Sequence, residues 1–195
     1  ETASESPAPG GGSISAYMGA LGAALATMVA NLSAHKPGWD ARWEELSEVA
    51  VNGQKLTDRL LALVDEDTAA FNRVMDAFKL PKGTPEEKAA RTEAIQQATL
   101  YAAEVPLRTM EAASEAFPLL MQMARTGNPA SASDAGVGAL AARSAILGAE
   151  LNVRINAASL TDRGQADKLI EKAKKLATEA CAAEKEILAE VESKL

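Results

Sequence analysis

The chain of 195 residues has one cysteine, Cys181, and one histidine, His35. A lone cysteine excludes an internal disulfide and points to a reducing compartment. The two counts together exclude a zinc site of the Cys/His type and a Cys–His nucleophile pair held close in sequence. Cys181 sits in Glu179-Ala180-Cys181-Ala182-Ala183 on a long helical pattern and reads as structural. His35 precedes Lys36-Pro37-Gly38 and reads as a turn residue. Aromatics are only 4% of a chain that is 47% hydrophobic, so the core must be built from Ala, Leu, Val and Met, as in close-packed helices. Basic excess is also missing. A net charge of −7 and a pI near 4.9 exclude nucleic-acid binding through a general basic surface. They leave room for a local pocket that holds a carboxylate-bearing ligand. No secretory pattern opens the sequence, because its first ten residues are polar, rich in Pro and Gly, and without an apolar centre.

What is present is helical. Ser13 to Ala34 carries no charge, but its Ala, Gly, Ser, Thr27 and Asn31 content suits a central helix packed by others rather than one facing lipid. The spacing predicts helices over 13–33, from about 40 to 78 with irregularity at Asn52-Gly53, and from 84 to about 103. Pro106 is read as a kink or a fresh start, followed by helices over 107–126, 131–158 and 162–194. Thr84-Pro85-Glu86-Glu87 is a capping box with Pro at the first helical position. No strand alternation or repeat period is found. The fold expected is an all-α bundle of about six helices, long and antiparallel, with residues 1–8 as a linker or leader and 9–195 as one domain. Small-residue faces, such as Gly19, Gly22, Ala23 and Ala26, allow close helix approach and fit a homodimer.

Five features bear on chemistry. Pro9-Gly10-Gly11-Gly12-Ser13 runs into a helix start, where bare N–H groups and the helix dipole favour an anion or a close ligand, with Ser13 as the expected N-cap. In Asp65-Glu66-Asp67, Asp67 lies four residues before Phe71, beside the apolar stripe. A carboxylate there has a raised pKa and exchanges protons near neutral pH. Spacing alone leaves a solvated acidic patch equally open. Asn31, Asn152 and Asn156 lie within apolar helices, the last two on one face at i, i+4. Buried unpaired amides cost about 1–3 kcal/mol each, so they require partners, either one another or a ligand. Gly127-Asn128 with Ser133-Asp134 forms a second loop entering a helix, and Lys82 marks a small basic spot.

Those segments, with Met28-Val29-Ala30-Asn31-Leu32, Leu80-Pro81-Lys82-Gly83 and Asn152-Val153-Arg154-Ile155-Asn156, fall in an order and spacing that covers nearly the whole chain. Together they resemble the cyclodeaminase domain of formiminotransferase–cyclodeaminase and its stand-alone relatives. The resemblance implies an all-α, dimer-forming enzyme of cytoplasmic folate one-carbon metabolism. Its expected reaction turns 5-formimidoyltetrahydrofolate into 5,10-methenyltetrahydrofolate and ammonia, without metal or redox cofactor. Asp67 is the expected catalytic carboxylate, with Asp65 as the alternative. Gly10, Gly11, Gly12, Ser13, Asn31, Asn128, Asp134, Asn152 and Asn156 are expected around the pterin, and Lys82 at the glutamate tail, which can be polyglutamylated. A formiminotransferase partner or domain is the expected donor of substrate. Two other readings remain: a methenyltetrahydrofolate cyclohydrolase on the same scaffold, and a non-catalytic helical interaction module.

Overall fold

The structure, a computed structural model, describes residues 1–195. It contains six α-helices and no strand: α1 (Gly11–Ala34), α2 (Trp43–Lys79), α3 (Pro85–Ser114), α4 (Ala116–Thr126), α5 (Ala132–Ala158) and α6 (Arg163–Glu192). Short 3-10 turns at Asp40–Arg42 and Pro129–Ser131 precede α2 and α5. Only Glu115, itself in helical backbone conformation, separates α3 from α4, so five rods make up the bundle. α1 is the central rod, flanked by α2 on one side and α5 on the other, with α3, α4 and α6 completing the wall.

α1 is long and apolar enough to match a membrane span by length and composition, yet 61% of that window is buried against its neighbours. The close packing rests on glycine. A Cβ on Gly22 would lie 2.9 Å from the Gly138 carbonyl oxygen, and one on Gly138 would lie 3.2 Å from the Gly22 carbonyl oxygen. Side chains at these positions would push α1 and α5 apart. The core they close over is aliphatic, with Leu46, Leu60, Met110, Leu120, Met123 and Ile146 all fully buried.

Several local expectations change. Asn52-Gly53 causes no irregularity, because α2 runs unbroken through it; Gly53 is small since a Cβ would meet Thr27 Oγ1 at 2.3 Å. Pro106 does not begin a helix but lies inside α3. Ser13 is not the N-cap of α1, which is Gly10, because its side chain is turned to another helix. The capping box at Thr84 and Glu87 is formed as expected.

Candidate active site

The N-terminus of α1, the middle of α2, Ala102 of α3 and the C-terminal part of α5 enclose a cleft of about 380 Å³. Gly10, Gly11 and Gly12 form one lip, Asn152 and Asn156 the other, and Asp67 the floor. Phe71, Val74, Ala102 and Ile155 supply apolar walls.

Asp67 is half-buried. Fully buried Ser13 donates its Oγ hydrogen to Asp67 Oδ2 at 2.8 Å, and Thr68 Oγ1 lies 3.2 Å from the same Ser13 oxygen. The Ser13 backbone N–H is turned to the same carboxylate. Asp67 therefore serves α1 as an N-cap would, but from a different helix, since Gly10 has no side chain for the task. Burial pushes the Asp67 carboxyl above the usual carboxylate range, and the two Ser13 groups pull part of the way back. The result is a carboxyl poised to hold or release a proton in a cleft open to ligand.

Asn152 and Asn156 share one orientation problem and solve it alike. Asn152 Nδ2 donates to the Gly148 carbonyl at 2.9 Å, and Asn156 Nδ2 donates to the Ala102 carbonyl at 2.7 Å. Each NH2 thereby gives one hydrogen to a backbone carbonyl, and both side chains line the cleft, where an amide oxygen is an acceptor by chemistry. Ala102 is available to Asn156 for a reason written in the sequence: Pro106, four residues later, has no N–H to give its carbonyl.

Glu66, adjacent to Asp67, faces away from the cleft. It accepts from the Tyr101 hydroxyl and from both Arg108 amino groups, at 3.2 and 2.8 Å. The Tyr101 bond, then Arg108, holds its carboxyl below the usual range against the opposing effect of burial. This clamp ties α2 to α3 behind the floor of the cleft.

Of the expected site residues, the structure brings together Gly10, Gly11, Gly12, Ser13, Asp67, Asn152 and Asn156. Five others lie elsewhere in the chain's own fold. Asp65 is exposed, two residues round the helix from Asp67. Asn31 lies 20 residues along α1 from Gly11, roughly 30 Å away at the rise of an α-helix. There it borders a separate shallow hollow with Thr27 and Gln54. Asn128 caps the 3-10 turn at that same far end and accepts from Lys36 Nζ at 3.3 Å. Asp134, in the first turn of α5, is separated from Asn152 by about 27 Å of helix. Lys82 is exposed in the loop between α2 and α3. Sequence reasoning passed over Ile155 and the Glu66–Tyr101–Arg108 clamp. An interior proline was the one visible signal for the Ala102–Asn156 contact. No group of three or more His, Cys, Asp or Glu side chains is arranged to hold a metal ion.

Residues 1–175 match the sequence profile of a family described as Formiminotransferase-cyclodeaminase. The chain belongs to that family. Methenyltetrahydrofolate cyclohydrolase of Methylorubrum extorquens is 39% identical over 193 residues, covering 99% of this chain and 93% of its own length. Formimidoyltransferase-cyclodeaminase of Rattus norvegicus is 39% identical over 162 residues, covering 83% of this chain. The chain spans only 30% of that rat protein. The crystal structure of formiminotetrahydrofolate cyclodeaminase from Thermotoga maritima superposes with a TM-score of 0.85 at 26% identity, over 98% of this chain and 92% of that one. The family is one of folate one-carbon cyclodeaminases and cyclohydrolases.

Proposed function

We propose that this family member closes 5-formimidoyltetrahydrofolate to 5,10-methenyltetrahydrofolate and releases ammonia, with Asp67 carrying the proton. The observation behind this reading is a lone carboxyl in the cleft whose hold on a proton is strengthened by burial. The reaction needs one group that takes a proton at N10 and returns it to a leaving nitrogen. As carboxylate, Asp67 removes the N10 proton while N10 attacks the carbon of the protonated formimidoyl group. The ring closes on a carbon that bears N5, N10 and an amino group. Asp67, now protonated, gives its proton to that amino nitrogen. The carbon–nitrogen bond breaks, ammonia leaves, and the N5–C–N10 unit carries the positive charge. Asn152 and Asn156 accept from pterin N–H groups, and the glycine lip lets the ring approach the backbone. The two proton transfers call for no metal or redox carrier.

The cyclohydrolase reading is favoured by one observation, the match across 93% of the Methylorubrum extorquens enzyme. There water adds to the methenyl carbon as Asp67 takes one of its protons; that proton passes to N5, the C–N5 bond breaks, and the remaining hydroxyl releases its proton to solvent to leave the 10-formyl group of 10-formyltetrahydrofolate. A folate substrate, polyglutamylated or not, a homodimer and a cytoplasmic setting complete the proposal. A transferase that hands over formimidoyl folate is the fitting partner.

Supplying each folate separately and following methenyltetrahydrofolate absorbance tests these readings. Formation from the formimidoyl compound supports the first. Decay of supplied methenyl compound without such formation supports the second. No change with either would overturn both and leave the interaction module.

A further inference from the structure

We propose, resting on the folate reading above, that Thr68 is a positioning residue for the proton transfer: its hydroxyl donates to Ser13 Oγ and thereby commits the Ser13 hydrogen to Asp67 Oδ2.

Counting hydrogens sets the direction. Ser13 Oγ stands 2.8 Å from Asp67 Oδ2 and 3.2 Å from Thr68 Oγ1, and its hydroxyl has a single hydrogen to give. A carboxylate can only accept, so while Asp67 is ionised that hydrogen goes to Oδ2. The contact between Ser13 and Thr68 is then a hydrogen bond with Thr68 as the donor. Ser13 is fully buried, so no water competes for its oxygen.

Thr68 has its hydrogen free for this. Thr27, Thr57, Thr109 and Thr126, all within α-helices, give theirs to the carbonyl four residues earlier in their own helix. Thr68, in the middle of α2, makes no such bond and has Ser13 as its hydrogen-bond partner. Ser13 behaves in the same way. Ser15 and Ser33 bond back along α1, whereas Ser13 reaches across to α2. Two hydroxyls withdrawn from their own helices thus form a chain that ends on the one carboxylate of the cleft.

Thr68 does not line the cleft, so it acts through Ser13 and not on the ligand. A hydroxyl that accepts a hydrogen bond becomes a better donor of its own, by about 10–30% per bond in a chain. Ser13 therefore holds the charged form of Asp67 more firmly, and in a fixed direction, than it would alone. No charged side chain competes with it. α1 has no charged residue, and its half-exposed Tyr17 is outside the cleft. From α3 and α5 the cleft receives Ala102, Asn152, Ile155 and Asn156. Arg154 of α5 is paired with Glu150, Glu66 of α2 with Arg108 behind the floor, and Asp65 is exposed.

Carboxyl NMR of isotope-labelled aspartate, with the Asp67 signal assigned by its loss in Asp67→Asn, follows the group whether or not the enzyme turns over. Thr68→Val keeps the shape without the hydroxyl and should raise the Asp67 titration midpoint. Thr68→Ser, which keeps the hydroxyl, should return it towards wild type. In a Ser13→Ala background Thr68→Val should add nothing, because its effect travels through Ser13. With either folate as substrate, the acid limb of kcat/KM should move in the same order. Thr68→Val should also lower kcat/KM roughly two- to tenfold at the optimum, the scale of one hydrogen bond. A folded Thr68→Val with the wild-type midpoint, a Thr68→Ser no closer to wild type than Thr68→Val, or an undiminished rise in the Ser13→Ala background overturns the proposal. Turnover of neither folate with the order of midpoints intact overturns the reaction assigned above and upholds the chain from Thr68 to Asp67.

Discussion

Gly12 and Asp67 stand in contact across two helices: a Cβ on the glycine would lie 2.2 Å from Asp67 Oδ1 and 2.6 Å from Cγ. The carboxylate has its place because residue 12 has no side chain. Gly12→Ala should therefore drive Asp67 off its seat, and a displacement near 1 Å costs about 10²-fold in turnover. Gly136→Ala is the matched control. Its Cβ would meet Leu188 and Val191 at 3.5 Å, an ordinary contact. It should keep its activity and gain up to about 1 kcal/mol, because alanine suits a helix interior better than glycine. Steady-state kinetics with thermal melts on both variants checks this.

Ser13 tunes the proton affinity of Asp67. Its hydrogen bonds favour the charged form and offset part of the upward push from burial. The acid limb of the pH–kcat/KM profile should lie above the ordinary carboxylate range in the wild type. Ser13→Ala should move that limb further up, so that activity is lost first on the acid side. A profile unchanged by the substitution would contradict the assignment.

The bundle was legible in the sequence because helix signals are local: the capping box at Thr84, the Gly127-Asn128-Pro129 stop, and apolar residues at 3–4 spacing. The lip, the floor and the amide pair of the cleft were legible as well, since chain order and residue type marked them. Asn31, Asn128, Asp134 and Lys82 were grouped with them on residue type and order alone. Distance along α1 and α5 separates Asn31 and Asp134 from the cleft of their own chain, and Asn128 caps the turn at that same far end. Pro106 reads as a kink or a fresh start because proline has no N–H for the helical ladder, and the fresh start is what the structure overturns. Here α3 continues through it, and the freed carbonyl of Ala102 is taken by Asn156 from another helix.

That contact yields its own prediction. Asn156→Leu leaves the buried Ala102 carbonyl without either a helical or a side-chain donor, at a cost of about 1–3 kcal/mol. It also removes an acceptor from the cleft. Urea midpoints should fall accordingly, and KM for folate should rise. A KM equal to wild type would exclude Asn156 from ligand contact.

The Glu66–Arg108 pair should stabilise the fold in a pH-dependent way. Tyr101 and Arg108 hold the Glu66 carboxyl below its unfolded value. Its contribution is thus present above the ordinary carboxylate range and fades as pH falls through the lowered folded value. Arg108→Ala should be less stable than wild type near neutral pH, with the gap closing on acidification. Paired urea titrations across that range measure it. Both groups are partly exposed, so the effect is modest and declines in high salt.

The most direct test of the central claim compares wild type, Asp67→Asn and Asp65→Asn on 5-formimidoyltetrahydrofolate, with methenyltetrahydrofolate formation as the readout. Removing a general acid–base group costs typically 10²–10⁴-fold. Asp67→Asn should lose activity on that scale while still binding folate, and exposed Asp65→Asn should turn over like the wild type. Undiminished kcat in Asp67→Asn, or its loss in Asp65→Asn instead, would contradict the account.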